Sequence, residues 1–355
     1  MSQSFYDHLV FTGSHREVGR QYGEALREKI LGHLEIIYRN AYKVSGVTKE
    51  KALQIAQMYE PYIEKYAPHY LDEIAGLGEG AGITKAEALL LQVRQEVVNL
   101  ARFGGIDPEC TAFAVTSEYT ANGKVYSGQN SDMYDDFRSI TNVITFCVIG
   151  KPQIMMAVPA GQLSFLGMNS EGISCNCNML HCTGWKKGFP RYLMSRLILE
   201  QRTFEEACAK AEIPERASQR NILICDREGH IANYETTSTD LARIDGKGYL
   251  VHTNHFLAPS MFQYEKSNNI ETQNSTTRYR RMCQLIEENK GKIDDLKLHH
   301  FLGDHGTEPD TICMHETAER GYHTFVSIIN NLTDNVMEVA AGNPCCNEYA
   351  IYEFR

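Results

Sequence analysis

The spacing of apolar residues divides the chain into two regions with different periods. Across residues 14–103 the apolar positions recur about every 3.6 residues, as they do on one face of an amphipathic helix. Val18, Tyr22 and Leu26 open such a series within residues 15–42. The N-terminal block is therefore predicted to be helical.

Two helix starts in this block carry capping boxes. Ser14 lies three residues before Glu17, and Thr84 lies three residues before Glu87. In a capping box the hydroxyl oxygen accepts from a backbone N–H of the first turn, and the carboxylate accepts from the backbone N–H of the cap residue. One helix is therefore predicted to begin after Ser14, and another to run from Thr84 to about residue 102.

After Cys110 the apolar period changes to two, which is typical of half-buried strands. Strands are predicted at residues 111–117, 124–130, 142–150, 153–159, 172–179, 221–226, 230–235, 249–252, 325–332, 335–341 and 348–354. Helices are predicted at residues 191–200, 204–211 and 277–288. Runs of strands, then helices, then strands favour a layered α+β fold over alternating βαβ units.

Composition and charge exclude several classes of function. Of the 355 residues, 43% are hydrophobic and 23% are charged, as in a globular protein. The net charge is −10 and no basic block occurs, so no nucleic-acid partner is expected. No apolar run is long enough to span a bilayer and the N-terminus does not resemble a signal peptide, so no membrane partner and a cytoplasmic location are expected.

A glycine-rich segment formally matches a dinucleotide-binding fingerprint. Gly76-Leu-Gly78-Glu-Gly80-Ala81 fits G-x-G-x-x-G/A, but that mechanism requires a preceding strand, and the residues before it have a helical pattern. We interpret the glycines as a helix stop. The phosphate-binding loop and the serine nucleophile elbow are both missing from the sequence.

Cysteine and histidine residues raise the question of a metal site. Cys175, Cys177, His181 and Cys182 cluster in sequence without the spacing of a zinc site. Other histidines, including His305, are not framed by a metalloprotease motif. The eleven cysteines are an odd number without a disulfide pattern. Buried, reduced thiols are therefore expected, with no metal and no other cofactor.

Cys110 is the first cysteine of the chain, and it directly follows a segment rich in helix breakers at residues 103–109. Cleavage of the Glu109–Cys110 bond would place a new α-amino group beside this thiol. Such an amine has a pKa of ~7.7–8.0 and is a competent base near neutral pH. From the residues alone, cleavage before Cys110 is a hypothesis, since a cysteine at the start of a strand is commonly a packing residue.

Short motifs occur in a characteristic order along the chain. They are Gly19-Arg-Gln-Tyr-Gly23, Glu79-Gly-Ala-Gly82, Glu109-Cys-Thr-Ala-Phe113, Gly128-Gln-Asn-Ser-Asp132, His252-Thr-Asn-His-Phe256, Ser275-Thr-Thr-Arg278, Asp304-His305, Ile312-Cys-Met-His315, Thr324-Phe-Val-Ser-Ile-Ile329 and Gly342-Asn-Pro344. Together they resemble the acyl-CoA:6-aminopenicillanate acyltransferase family, peptidase family C45, which includes amide hydrolases acting on β-alanyl amines. The resemblance covers nearly the whole chain.

The resemblance implies the N-terminal nucleophile hydrolase fold, an αββα four-layer sandwich, here with a helical N-terminal segment. It implies self-cleavage between Glu109 and Cys110 into a segment of residues 1–109 and a catalytic body of residues 110–355. Cys110 is then the nucleophile, and Asp132 is the carboxylate near its amino group. Asn254 is the side-chain oxyanion donor, and Arg320 matches an active-site arginine of some members.

One departure from the family is at Glu109, where well-known members carry glycine. Glutamate restricts a backbone that must distort, so slower self-cleavage is expected.

The resemblance predicts an autoproteolytic amidohydrolase or acyltransferase that forms a Cys110 thioester with the acyl group of a small amide. Its expected partners are the amide substrate, acyl-CoA as one candidate donor, and its own cleaved N-terminal segment. Two alternatives remain open. One is a family member that does not mature and binds a small amide without catalysis. The other is a cysteine–histidine hydrolase in which His252 or His255 is the base.

Overall fold

The computed structural model describes residues 5–101, 109–134, 136–317 and 321–354. In the described part of the N-terminal segment, one strand precedes seven helices. They are β1 (His8–Gly13), α1 (His15–Ala25), α2 (Arg27–Ser45), α3 (Lys49–Gln57), α4 (Glu60–Tyr66), α5 (His69–Ala81), α6 (Lys85–Gln92) and α7 (Arg94–Ala101).

From Cys110 onward strands predominate among the described residues. They are β2 (Cys110–Val115), β3 (Tyr126–Met133), β4 (Thr141–Val148), β5 (Ile154–Pro159), β6 (Leu166–Asn169), β7 (Ile173–Asn178), β8 (Arg220–Asp226), β9 (Ile231–Thr236), β10 (Leu241–Asp245), β11 (Tyr249–His252), β12 (His323–Asn331), β13 (Val336–Ala340) and β14 (Tyr349–Glu353). The α-helices in the described part of this region are α8 (Asp136–Ile140), α9 (Arg191–Leu199), α10 (Phe204–Ala211), α11 (Asn269–Glu288) and α12 (Asp295–Leu302), and a 3₁₀ helix spans Pro259–Tyr264.

The described strands form two sheets. In one the order is β1-β4-β5-β6-β7-β8-β9-β10, and in the other it is β11-β2-β3-β12-β13-β14. The sheets pack face to face, with β2 and β3 against β7 and with β12 against β6. Helices α9 and α10 pack on the first sheet, and α11 packs on β11 of the second. The predicted α+β fold is confirmed, with helices packed on both sheets.

The N-terminal segment is not purely helical, because it supplies an edge strand. Strand β1 pairs in parallel with β4, from His8 opposite Val143 to Gly13 opposite Val148. The prediction of an all-helical segment missed this strand, because a six-residue strand at a sheet edge carries little periodic pattern. Residues 1–109 and 110–355 therefore share one sheet.

The glycines of residues 76–81 do not stop a helix, which corrects the sequence interpretation. Helix α5 continues through them and lies against α1 at backbone contact. A Cβ atom on Gly76 would lie 2.1 Å from the carbonyl oxygen of Arg16, and one on Gly19 would lie 2.0 Å from that of Glu73. Any side chain at these positions would force the two helices apart, so glycine is required here for packing.

Other predicted elements are confirmed, with shifted ends. Both capping boxes form, at Ser14 and at Thr84. The helix predicted from Thr84 to about residue 102 is interrupted at Val93, whose backbone leaves the helical region. The side chain of Gln92 accepts from the N–H of Leu163 at 2.9 Å, and it donates to the carbonyl of Gly161 at 2.8 Å. These hydrogen bonds fix the end of α6 to the turn that follows β5.

Helix α11 begins eight residues earlier than the position 277 predicted from its apolar pattern. Asn268 caps it, with Glu271 completing a capping box. The earlier start places Asn274, Ser275 and Arg278 on one helix beside β11, and all three are buried.

Candidate active site

The Glu109–Cys110 peptide bond lies where β2 begins beside β3. Cys110 is opposite Ser131 in the antiparallel register. One residue further, the backbone N–H of Asp132 donates to the carbonyl oxygen of Glu109 at 2.9 Å. The carbonyl of the predicted cleavage bond is therefore polarised by a fixed backbone donor, the arrangement that stabilises negative charge on oxygen during attack.

The amide nitrogen of the same bond has a side-chain partner. The N–H of Cys110 donates to Oδ1 of Asn254 at 3.0 Å. Asn254 follows β11, and Ser275 of α11 holds its backbone N–H at 2.8 Å. Its Nδ2 donates to the carbonyl of Met179 at 3.0 Å. Since an amide group carries two N–H donors, one remains beyond the Met179 contact.

Arg278 of α11 connects the residues on both sides of this bond. Its guanidinium is fully buried and donates to the Cys110 carbonyl and the Thr111 hydroxyl, each at 2.8 Å. It also donates to Oδ1 of Asn254 at 2.9 Å and to the Glu109 carboxylate at 2.5 Å. The five donors of a guanidinium form a rigid fork, so one side chain fixes four partners.

Glu109 is buried although it is charged. Its carboxylate pairs with Arg278 and also accepts from the hydroxyl of Tyr322 at 3.3 Å. A buried carboxylate is tolerated when it is paired with a cation and hydrogen-bonded. Through these contacts the side chain of Glu109 anchors its own backbone next to Cys110, which glycine could not do.

The Cys110 thiol is held in its neutral form. Burial, and after it the nearby Asp132 carboxylate, raise the pKa of Cys110 to about 11, since both disfavour the thiolate. The Sγ atom lies 3.8 Å from the hydroxyl of Ser131. An additional base is therefore needed for Cys110 to attack near neutral pH.

Asp132 is fully buried at the end of β3. Its Oδ1 accepts from the hydroxyl of Thr324 on β12 at 2.6 Å. The same Thr324 hydroxyl accepts from the backbone N–H of Met314 at 3.0 Å. Asp132 is therefore fixed by the central strands of one sheet and by the segment that precedes β12.

The sequence of this chain matches the family that the motifs resemble. A model of the acyl-coenzyme A:6-aminopenicillanic acid acyl-transferase family matches residues 119–345. The chain belongs to this family.

A curated relative is the acyl-coenzyme A:6-aminopenicillanic-acid-acyltransferase 40 kDa form of Emericella nidulans. It is 27% identical over 254 residues, which cover 70% of this chain and 69% of the relative. The resemblance inferred from sequence is confirmed, and so is the predicted class of enzyme, an amidohydrolase or acyltransferase.

Two solved structures are distant neighbours of this acyltransferase-family member. The Caenorhabditis elegans N-acylethanolamine-hydrolyzing acid amidase ortholog has a TM-score of 0.47 at 14% identity, covering 69% of this chain and all of that one. Penicillin V acylase from Agrobacterium tumefaciens has a TM-score of 0.44 at 14% identity, covering 65% of this chain and 83% of that one.

Of the predicted site residues, the structure brings together Glu109, Cys110, Asp132 and Asn254. Arg320 lies outside the described residues. The site also contains Arg278, to which the sequence assigned no role, although it ends the quoted motif Ser275-Thr-Thr-Arg278. The burial of Arg278 is what indicates its role. Burial depends on the fold, so the sequence alone did not reveal it.

The histidines of the alternative mechanism are occupied elsewhere. Both ring nitrogens of His252 lie 2.8 Å from other partners, the Glu235 carboxylate and the Thr253 carbonyl. His255 contacts the hydroxyl of Ser275 through Nδ1 at 2.8 Å, and burial lowers its pKa to about 4. The geometry of these rings serves the loop after β11 rather than the thiol of Cys110.

A cleft opens beside the nucleophile candidate. Its wall includes Cys110, Ser131 and Asp132 together with apolar and cationic side chains. These are Met133, Phe165, Leu166, Met179, Tyr192, Arg191 and Arg220. The guanidinium groups of Arg191 and Arg220 each lie 5.4 Å from the ring centre of Tyr192. The cleft therefore offers an apolar surface with positive charge at one side.

The cysteines considered as metal ligands in sequence do not converge with their neighbours. Cys175 and Cys177 are buried on one face of β7, with Sγ atoms 3.8 Å apart. Cys182 instead contacts the carbonyl of Thr183 at 3.0 Å.

Among the helices of the described residues, none combines the length and apolar character of a membrane span.

Proposed function

We propose that this chain is a self-cleaving N-terminal nucleophile enzyme, which cuts its own Glu109–Cys110 bond and then uses Cys110 to cleave or transfer the acyl group of a small amide. One observation carries the proposal. Both polar atoms of the Glu109–Cys110 peptide bond are held by partners from separate elements, Asp132 and Asn254, while Cys110 lines the cleft.

Self-cleavage begins when Sγ of Cys110 attacks the carbonyl carbon of Glu109. The Asp132 N–H stabilises the oxyanion, and a positioned donor of this kind typically contributes ~10²–10³ in rate. The C–N bond breaks, and the nitrogen of Cys110 takes the proton that the thiol has lost and becomes an amine. Water then hydrolyses the resulting thioester, which releases the new α-carboxylate of Glu109 and restores the thiol.

In the cut enzyme the free α-amino group of Cys110 supplies the missing base. It accepts the thiol proton as Sγ attacks the substrate carbonyl, and it returns that proton to the leaving amine. The second Nδ2 hydrogen of Asn254 is proposed to stabilise the substrate oxyanion. Water then releases the acyl group in hydrolysis, or an acceptor amine takes it in transfer.

The cleft lining supports a substrate with an apolar acyl group. Four of its wall residues are aliphatic, thioether or phenyl side chains, and Arg191 and Arg220 suit an anionic group on either half of the amide. Acyl-CoA is proposed as one donor, because a relative 27% identical is named as an acyl-coenzyme A acyltransferase.

We expect self-cleavage to accelerate with pH well beyond neutrality. Because the pKa of Cys110 in the uncut chain is raised to about 11, the reactive thiolate fraction grows about tenfold per pH unit below that value. Freshly translated chain is shifted to a series of pH values. The rate at which the two segments appear is then measured on denaturing gels. A rate that levels off near pH ~8.5, the value of an ordinary thiol, contradicts this expectation.

We also expect residues 1–109 to remain bound after cleavage. Strand β1 completes a sheet with β4, and the side chains of Tyr22 and Leu89 are fully buried. Each buried side chain of this size contributes ~1.5–3 kcal/mol. The two segments should co-elute in size exclusion at both low and high salt, and should separate only in denaturant. Separation in salt alone contradicts the prediction.

A further inference from the structure

Two histidines and two cysteines from three separate segments converge beside the loop that precedes β12. The ligand atoms of His305, Cys313, His315 and Cys345 all lie within 4.8 Å of one another. Nε2 of His315 is 3.0 Å from Nε2 of His305 and 3.2 Å from Sγ of Cys345. It is 3.7 Å from Sγ of Cys313.

The three distances from His315 are close to the edges of a tetrahedron of zinc ligands. Zinc binds thiolate sulfur at about 2.3 Å and imidazole nitrogen at about 2.0–2.1 Å, so ligand atoms around one ion lie about 3.3–3.8 Å apart. The three distances from His315 fall within a few tenths of an ångström of that range. Two thiols with two imidazoles are the donor set of structural zinc sites, and soft sulfur ligands disfavour magnesium and calcium.

We propose that His305, Cys313, His315 and Cys345 bind one zinc ion. Four protein ligands fill a tetrahedral shell, so the site is structural rather than catalytic. His315 and Cys345 are exposed, which gives the ion access from solvent, whereas Cys313 is buried. On binding, the two thiols release their protons and ligate as thiolates.

A neighbouring side chain supports the ligand set. Nδ2 of Asn343 donates to Sγ of Cys313 at 3.5 Å and to the carbonyl of Met314 between two of the ligands. Such outer contacts orient metal ligands and raise affinity. Asn343 belongs to the segment that carries Cys345, so it connects two of the three segments.

The ion would brace residues that hold the candidate active site. Met314, between Cys313 and His315, donates its N–H to the Thr324 hydroxyl that in turn holds Asp132. The carbonyl of Ile312 accepts from Asn130 on β3 at 3.0 Å. The site is distinct from the Cys110 cleft and acts on it only through these contacts.

The sequence predicted no metal, because its cysteines and histidines lack zinc spacing. Cys313 and His315 are separated by one residue, and Cys345 follows thirty residues later. Strands β12 and β13 lie between them and return the chain to the same place.

The test is metal binding to the reduced, full-length protein. After loading with zinc and removal of free metal by gel filtration, we expect about one zinc per chain by elemental analysis. With cobalt(II) instead, we expect the visible bands of tetrahedral thiolate coordination. The variant Cys313→Ser should lose both properties. His315→Gln, at an exposed position, should weaken zinc binding at least tenfold, the loss typical even of an outer-shell partner.

Matched controls are Cys346→Ser, next to Cys345 in sequence, and His300→Gln on α12, and both residues are exposed. They should bind zinc as the unaltered protein does. Reduced protein that retains no zinc and gives no cobalt bands overturns the proposal. Equal loss in the controls and the ligand variants also overturns it. So does a Cys313–Cys345 disulfide in protein that takes up no zinc after reduction.

Discussion

Replacement of Cys110 by alanine is expected to leave the chain uncut, whereas the unaltered protein is expected to separate into residues 1–109 and 110–355 under denaturing conditions. Without Sγ the carbonyl of Glu109 meets no nucleophile, although Asp132 still polarises it. Intact mass spectrometry of freshly purified protein measures the outcome directly. The same variant should show no turnover of fluorogenic acyl amides.

The matched control for this variant is Cys177→Ala, which removes another thiol that lines the same cleft. We expect it to be cut at the same bond as the unaltered protein. Cleavage of the Cys110→Ala chain at that bond would mean that an external protease is responsible. An unaltered chain that stays whole would instead support the alternative, a family member that binds amides without maturing.

Replacement of Arg278 should have the second largest effect, on both cleavage and stability. Arg278→Lys keeps the charge but loses the fork that reaches Cys110, Thr111, Asn254 and Glu109 together. We expect it to slow self-cleavage by ~10²-fold or more, a loss comparable with that of a positioned donor. The measurement is the rate of segment formation, together with the urea midpoint of the uncut chain.

Arg278→Ala should in addition destabilise the protein by ~3–5 kcal/mol, because it leaves the Glu109 carboxylate buried without its cation. The double variant with Glu109→Gln should regain part of that stability without regaining the cleavage rate. Recovery of stability without recovery of the cleavage rate would distinguish the positioning role of Arg278 from its contribution to folding. Arg280→Lys, on the same helix and exposed, serves as the control and should cleave normally. Unchanged cleavage in Arg278→Lys would show that Arg278 has no positioning role.

Much of the local structure was determined by the sequence alone. The boxes at Ser14 and Thr84 form as predicted, because a cap depends on residues only three positions apart. The period of two after Cys110 located most of the strands, because a strand that packs on one face must alternate. Motif order along the chain likewise identified the family, and it placed Cys110, Asp132 and Asn254 in one hypothesis.

Only the tertiary structure decided how these parts act on one another. Strand β1 joins a sheet whose next strand follows more than a hundred residues later, and Gly19 and Gly76 derive their role from each other's helices. The role proposed for Arg278 depends on α11 lying beside the start of β2, and the zinc site depends on two strands returning the chain to one place. Local periodicity records which face of an element is buried. It does not indicate which distant element covers that face, because the pairing of elements depends on the packing of the whole chain.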